Sequence, residues 1–245
     1  MIDVKSPIEL NSFAVELRDE LNMNPYIPID LFHIVPTCFT DYTIIFHPMS
    51  SNTSGMCVKN GTNSIIGINS NSSLGRQRFT LAHELYHLLY DDNFNEDIVV
   101  CNYNDKSDSE QEAELFGSYV LIPYEGLKKF IKSRGIKKWT LDDAIVCEQY
   151  FQISHQALIT RLLQDGFIDE REFDNLSNVK ISHEAKLRGF DKSIYQVPEY
   201  NSKRVIGNYV RLVEDAYNSN LISEDKRNGM LLDGFQDEIV YKYKR

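Results

Sequence analysis

No stretch constrains the fold more than "RFTLAHELYHLLYDD" (78–92). From about Leu74 to Asp91 the residues read as one helix. Phe79, Leu81, Ala82, Leu85, Leu88 and Leu89 lie nearly all round it rather than along a single stripe. A helix apolar on every side belongs in the middle of a domain, so the rest of the chain has to cover it. His83, Glu84 and His87 sit inside that apolar surface. Buried polar groups cost free energy unless something satisfies them, so these three need a shared partner.

The covering elements are partly readable. "SPIELNSFAVELRDEL" opens with Ser6 as a cap, Pro7 in the first turn and Glu9 completing a capping box, and Phe13, Leu17 and Leu21 give that helix a buried stripe. "YTIIFH" (42–47) and "GMCVKNGTNSIIGIN" (55–69) read as strands, the latter a hairpin turning at Asn60-Gly61. After the polar connection "NYNDKSDS", a helix follows in "SEQEAELFGSYVLI", with Ala113, Phe116, Val120 and Leu121 as its apolar face and Pro123 at its exit.

From 140 to 168 the pattern is a helix, a tight turn near Gln152–Ser154 and a second helix capped by Ser154, the outline of a helix-turn-helix. A helical pair over 202–220 and 223–235 and a final strand in "EIVYKYK" complete the chain. The expected class is α+β: residues 1–125 form a domain with a small antiparallel or mixed sheet. Residues 126–170 form a helix-turn-helix-like region, and 171–245 a mostly helical extension.

The net charge of −10 argues against a general affinity for nucleic-acid backbones. The helix-turn-helix outline sets Asp142, Asp143, Glu148 and Asp165 against Arg161 alone; only the run Lys128, Lys129, Lys132, Arg134, Lys137 and Lys138 just before it is basic. Direct DNA binding is therefore not expected. The N-terminus has no signal-peptide core and no stretch approaches the length of a membrane span, so the expected location is the cytoplasm. Cys38, Cys57, Cys101 and Cys147 form no C-x-x-C pair, suggest neither disulfides nor a thiolate zinc site, and read as small, inert, partly buried residues.

His83 and His87 are four residues apart, so on a helix they project from one face and converge on a common point. Glu84 is close enough to that face to reach a water held there. H-E-x-x-H thus supplies two nitrogen ligands and a base for a metal ion. A third ligand must come from elsewhere. The later helix offers Glu110, with Glu114 one turn on to support a ligand from behind, and Glu112 as the alternative ligand. Ser107-x-x-Glu110 and Ser109-x-x-Glu112 are also capping boxes, which would explain two of these acids without a metal. Zinc is the expected ion, with manganese or iron open to the same ligands. Tyr86, Tyr90, Tyr119 and His155 are the candidate oxyanion donors.

The order "RQRFTLAHELYHLL", then a connection, then "EQEAELFGSYVLIP" resembles the ImmA/IrrE-type metallopeptidases, which pair an R-F-T-x-A-H-E-x-x-H helix with an E-x-E-A-x-x-F-A helix ending in L-x-P. The resemblance covers roughly residues 5–125. It implies a zincin-like, gluzincin-type zinc endopeptidase acting on a protein substrate. That substrate is typically a helix-turn-helix repressor encoded nearby, whose cleavage relieves repression of stress or mobile-element genes. Tyr86 stands where the family commonly has Gly, bringing a bulky ring near the metal-binding turn, and Glu114 where Asn or Asp is usual. The rival expectation is a non-proteolytic zinc-binding scaffold, or a toxin–antitoxin-type partner, that sequesters a regulator.

Overall fold

The computed structural model describes residues 4–92, 99–102, 107–199 and 202–241. In chain order the helices are α1 (Pro7–Glu20), α2 (Leu31–Cys38), α3 (Leu74–Leu89), α4 (Asp108–Leu121), α5 (Tyr124–Arg134), α6 (Leu141–Phe151), α7 (His155–Gln164), α8 (Glu170–Ser177), α9 (Ile181–Leu187), α10 (Asn208–Asn218), α11 (Glu224–Asp233) and α12 (Asp237–Tyr241). The strands are β1 (Tyr42–His47), β2 (Thr53–Asn60), β3 (Asn63–Asn69), β4 (Val99–Asn102) and β5 (Arg204–Gly207). They form one mixed sheet in the order β4-β2-β3-β1-β5, in which only β1 and β3 run parallel. The fold is α+β.

Local chemistry explains the elements around α3. Gly61, at the β2–β3 turn, has φ +59°, the left-handed backbone that Asn-Gly hairpins favour. Ile44 and Phe46 of β1, Cys57 of β2 and Ile66 and Ile68 of β3 turn into a continuous core with Leu81, Ala82 and Leu85 of α3. Each such fully buried aliphatic or aromatic side chain contributes about 1.5–3 kcal/mol. On the opposite flank α4 packs against α3 at Gly117, where an added Cβ would stand 3.1 Å from the His83 backbone nitrogen. Arg18 of α1, fully buried, donates to the carbonyls of Val120, Asn24 and Ile27 and ties α1 to the end of α4.

Some expectations need correction. The helix expected to reach Asp91 ends at Leu89. α2, with Pro36 inside it, falls in a stretch read as a link, and the edge strand β4 was not expected, only its last residue, Asn102, falling in the polar connection. Half of the polar connection 102–109, at 103–106, lies outside the described residues. The helix expected over 202–220 begins only at Asn208, because Arg204–Gly207 pairs antiparallel with β1. Gly207 makes that possible: its φ is +95°, and a Cβ there would fall 2.3 Å from the Tyr42 carbonyl oxygen. With the β1 edge taken, "EIVYKYK" is not a strand but helix α12 through Tyr241, its last residues lying outside the described set. No helix among the described residues is long and apolar enough to cross a membrane.

Candidate metal centre

Ser73 caps α3 by accepting from Arg76 N, and along that helix the four-residue spacing turns His83 and His87 to the same side. Ser107 caps α4 in the same way, accepting from Glu110 N at 3.4 Å. The Glu110 carboxylate is turned to the histidines. His83 Nε2 lies 3.1 Å from Glu110 Oε2, His87 Nε2 lies 3.4 Å from Glu110 Oε1, and the two Nε2 atoms are 3.3 Å apart. Ligands bonded to a tetrahedral zinc at roughly 2.0–2.1 Å stand about 3.3–3.4 Å from one another. The two imidazole nitrogens, and each of them with the Glu110 oxygen nearest it, thus stand at separations close to those between ligands of one zinc ion. Cys101 Sγ joins them, all four ligand atoms lying within 4.8 Å of one another.

Glu84 is fully buried beside this cluster. Its Oε2 accepts from Cys101 Sγ at 3.3 Å, and the Cys57 thiol lies against the same carboxylate. Its Oε1 has no hydrogen-bond partner among the described residues. An orphaned buried oxygen beside a triangle of two imidazoles and a carboxylate fits a site built for a metal ion and a water. Burial pushes the Glu84 carboxyl up to about 7, against the pull of His87. Burial also lowers His83. For His87 burial is outweighed by hydrogen bonds to Asp91 and Glu110, which lift it to about 9. Burial alone would raise Glu110, but its hydrogen bonds to both histidines hold it well below the usual carboxylate range.

The acids predicted from the sequence separate in space. Glu110 meets the histidines. Glu112 points to the other side of α4, accepting from Lys5 N at 2.5 Å and from the Tyr86 hydroxyl. Glu114 lies on the wall of a cleft with Ser54, Arg76, Phe79 and Thr80, leading to His83 and Glu110. The carboxylate hydrogen-bonded to a histidine's far nitrogen is not Glu114 but Asp91, which faces His87 Nδ1 and also accepts from Ser109 Oγ at 2.5 Å. The Tyr86 ring packs on Phe116 and stands edge-on to the His87 ring, centroids 5.7 Å apart, while its hydroxyl turns to Glu112.

None of the four candidate oxyanion donors has its polar atom at the site. Tyr90 bonds the Phe13 carbonyl, Tyr119 bonds Asp165, and His155 lies between Glu148 and the Leu176 carbonyl. Cys101 and Asp91 were missed. The run "IVVC" is a weak strand signal, and Asp91 stands one turn beyond His87, a spacing that could have been read.

A mixed sheet laid on an H-E-x-x-H helix, with a glutamate brought in by the next helix, defines the metallopeptidase class. More particularly, the model of the Peptidase_M78 family, the IrrE N-terminal-like domain, matches residues 40–163, and the chain belongs to that family. No curated protein matches the chain.

Proposed function

We propose that the protein is a zinc-dependent, site-specific endopeptidase, with His83, His87 and Glu110 as metal ligands and Glu84 as the proton-handling base. The observation that carries this reading is the convergence of the two imidazole nitrogens, 3.3 Å apart, on the Glu110 carboxylate, whose Oε2 lies 3.1 Å from His83 Nε2 and whose Oε1 lies 3.4 Å from His87 Nε2. A divalent ion there supplies Lewis acidity that polarises a peptide carbonyl and acidifies a water. Glu84 takes a proton at its carboxylate and returns it to the leaving amine, a task that suits a group titrating near neutrality. Asp91 holds the His87 ring so that Nε2 faces the site.

The substrate in this reading is a helix-turn-helix repressor, held in extended form along the edge strand β4, where backbone pairing binds any sequence and side-chain pockets select. The cleft past Arg76, Phe79 and Glu114 runs on towards Gln156 and Thr160 of α7, so residues 126–170 serve as a docking region beside the 1–125 catalytic part, with 171–245 as an extension. The rival reading, a scaffold that sequesters a regulator without cutting it, draws on the depth of the site, where Glu84 is fully buried and His87 is 2% exposed. One experiment separates them. Glu84→Gln is expected to keep its zinc and lower cleavage about 10²–10⁴-fold; undiminished cleavage would remove Glu84 from the reaction, and derepression surviving without cleavage would favour the scaffold.

A further inference from the structure

We propose that Cys101 is a fourth ligand of the metal centre, and that its thiolate occupies the coordination position hydrolysis needs, so that the described conformation is the latent form of the enzyme. This rests on the metal-centre reading above and concerns the regulation of that same site.

The argument begins with register. Cys101 stands opposite Gly55 in the β2–β4 pairing, and at Gly55 β2 lies close against α3. A Cβ at 55 would lie 2.6 Å from both Glu84 Oε1 and Thr80 Cγ2. The missing side chain lets the strand pair settle onto the H-E-x-x-H turn, which carries the Cys101 thiol to the three ligand atoms. A catalytic zinc keeps three protein ligands and one open position, whereas four protein ligands make a closed, structural-type site. Two imidazoles, a carboxylate and a thiol, all within 4.8 Å of one another, make the closed set.

The surroundings agree with closure. His83, His87, Glu84, Cys101 and Glu110 are all buried, and the cleft reaching His83 and Glu110 is about 10 Å³, room for roughly one water and not for a peptide. Ligation breaks the Cys101 S–H bond as the sulfur–metal bond forms. Glu84 Oε2, already 3.3 Å from the sulfur, receives the proton. Activation reverses this when Cys101 withdraws. Among the described residues β4 is an edge strand of four residues paired only to β2, so a shift of that strand takes the thiol off the site without unpacking the core.

Cobalt(II) reads the ligand directly. The full chain, stripped of metal and reloaded with cobalt under a thiol-free reductant, is expected to bind about one ion, with visible ligand-field bands and a near-ultraviolet thiolate-to-cobalt band. Cys101→Ser should keep the ion and the visible bands but lose the ultraviolet band, and Cys57→Ser should keep all three. Acetohydroxamic acid should perturb the visible bands of Cys101→Ser and leave those of the unaltered protein unchanged. Visible bands without a thiolate band in the unaltered protein, or a thiolate band persisting in Cys101→Ser, would overturn the fourth ligand while leaving the metal centre standing. An equal response to acetohydroxamic acid in both proteins would overturn latency. Failure to take up cobalt at all would sink the metal-centre reading itself. The spectrum of the unaltered chain decides even if Cys101→Ser does not fold.

Discussion

His87 Nδ1 donates to Asp91 Oδ2 at 2.9 Å, one turn further along the chain and just past the end of α3. A carboxylate can only accept, so this bond fixes the proton on Nδ1 and leaves Nε2, the nitrogen facing His83 and Glu110, free to bind a metal. Asp91→Ala is expected to lower metal affinity about 10–100-fold with the fold retained. Competition with a chelator measures it, and an unchanged dissociation constant would leave Asp91 without that role.

Gly55 has no room for a methyl group, since Glu84 Oε1, Thr80 Cγ2 and the Gly67 carbonyl all lie within 2.9 Å of where a Cβ would stand. Overpacking of this kind costs about 1–3 kcal/mol. Gly55→Ala is therefore expected to lower the urea midpoint and weaken metal retention together; a midpoint equal to that of the unaltered protein would show that β2 yields freely.

The Tyr86 hydroxyl donates to Glu112, away from the metal ligands. Tyr86→Phe leaves a buried acceptor with one partner fewer and should cost about 1–3 kcal/mol of stability. Metal stoichiometry should not change. Loss of bound metal at unchanged stability would place the ring's influence at the site after all.

His155 lies with Nδ1 2.6 Å from Glu148 Oε1 and Nε2 3.0 Å from the Leu176 carbonyl. Burial opposes a charged imidazole here, and the Glu148 hydrogen bond outweighs it, so the pKa is raised. A raised folded-state value adds stability that is complete below the unfolded value of about 6.5 and lost as the pH climbs through the folded one. The denaturation midpoint should fall as the pH rises above about 6.5 in the unaltered protein, and less in Glu148→Gln. Parallel curves for the two proteins would exclude the pair as the source.

The parts legible beforehand were those with local signals. The Ser6 capping box, the Asn60-Gly61 turn and the Ser154 cap each state their structure within four residues, and α1, β2–β3 and α7 follow them. His83, Glu84 and His87 share one turn of helix, so their convergence could be read from spacing alone. Placing Glu110 took the pairing of two helices, and capping explained it equally well until its carboxylate was seen on the histidines. β4 and β5 were not legible because four-residue strands owe their form to the neighbours they pair with. Cys101 carried no motif at all: its place depends on a strand register and on a glycine 46 positions earlier.

β5 also sets an order of events. The outer flank of β1 is sealed by Arg204–Gly207, which leaves the ribosome after every other strand of the sheet. Until then Thr43–Phe46 present unpaired backbone amides and carbonyls, the template by which nascent or truncated chains stick to one another. A fragment cut back to the family-matched 40–163 would carry that adhesive margin permanently, however well its histidines were arranged.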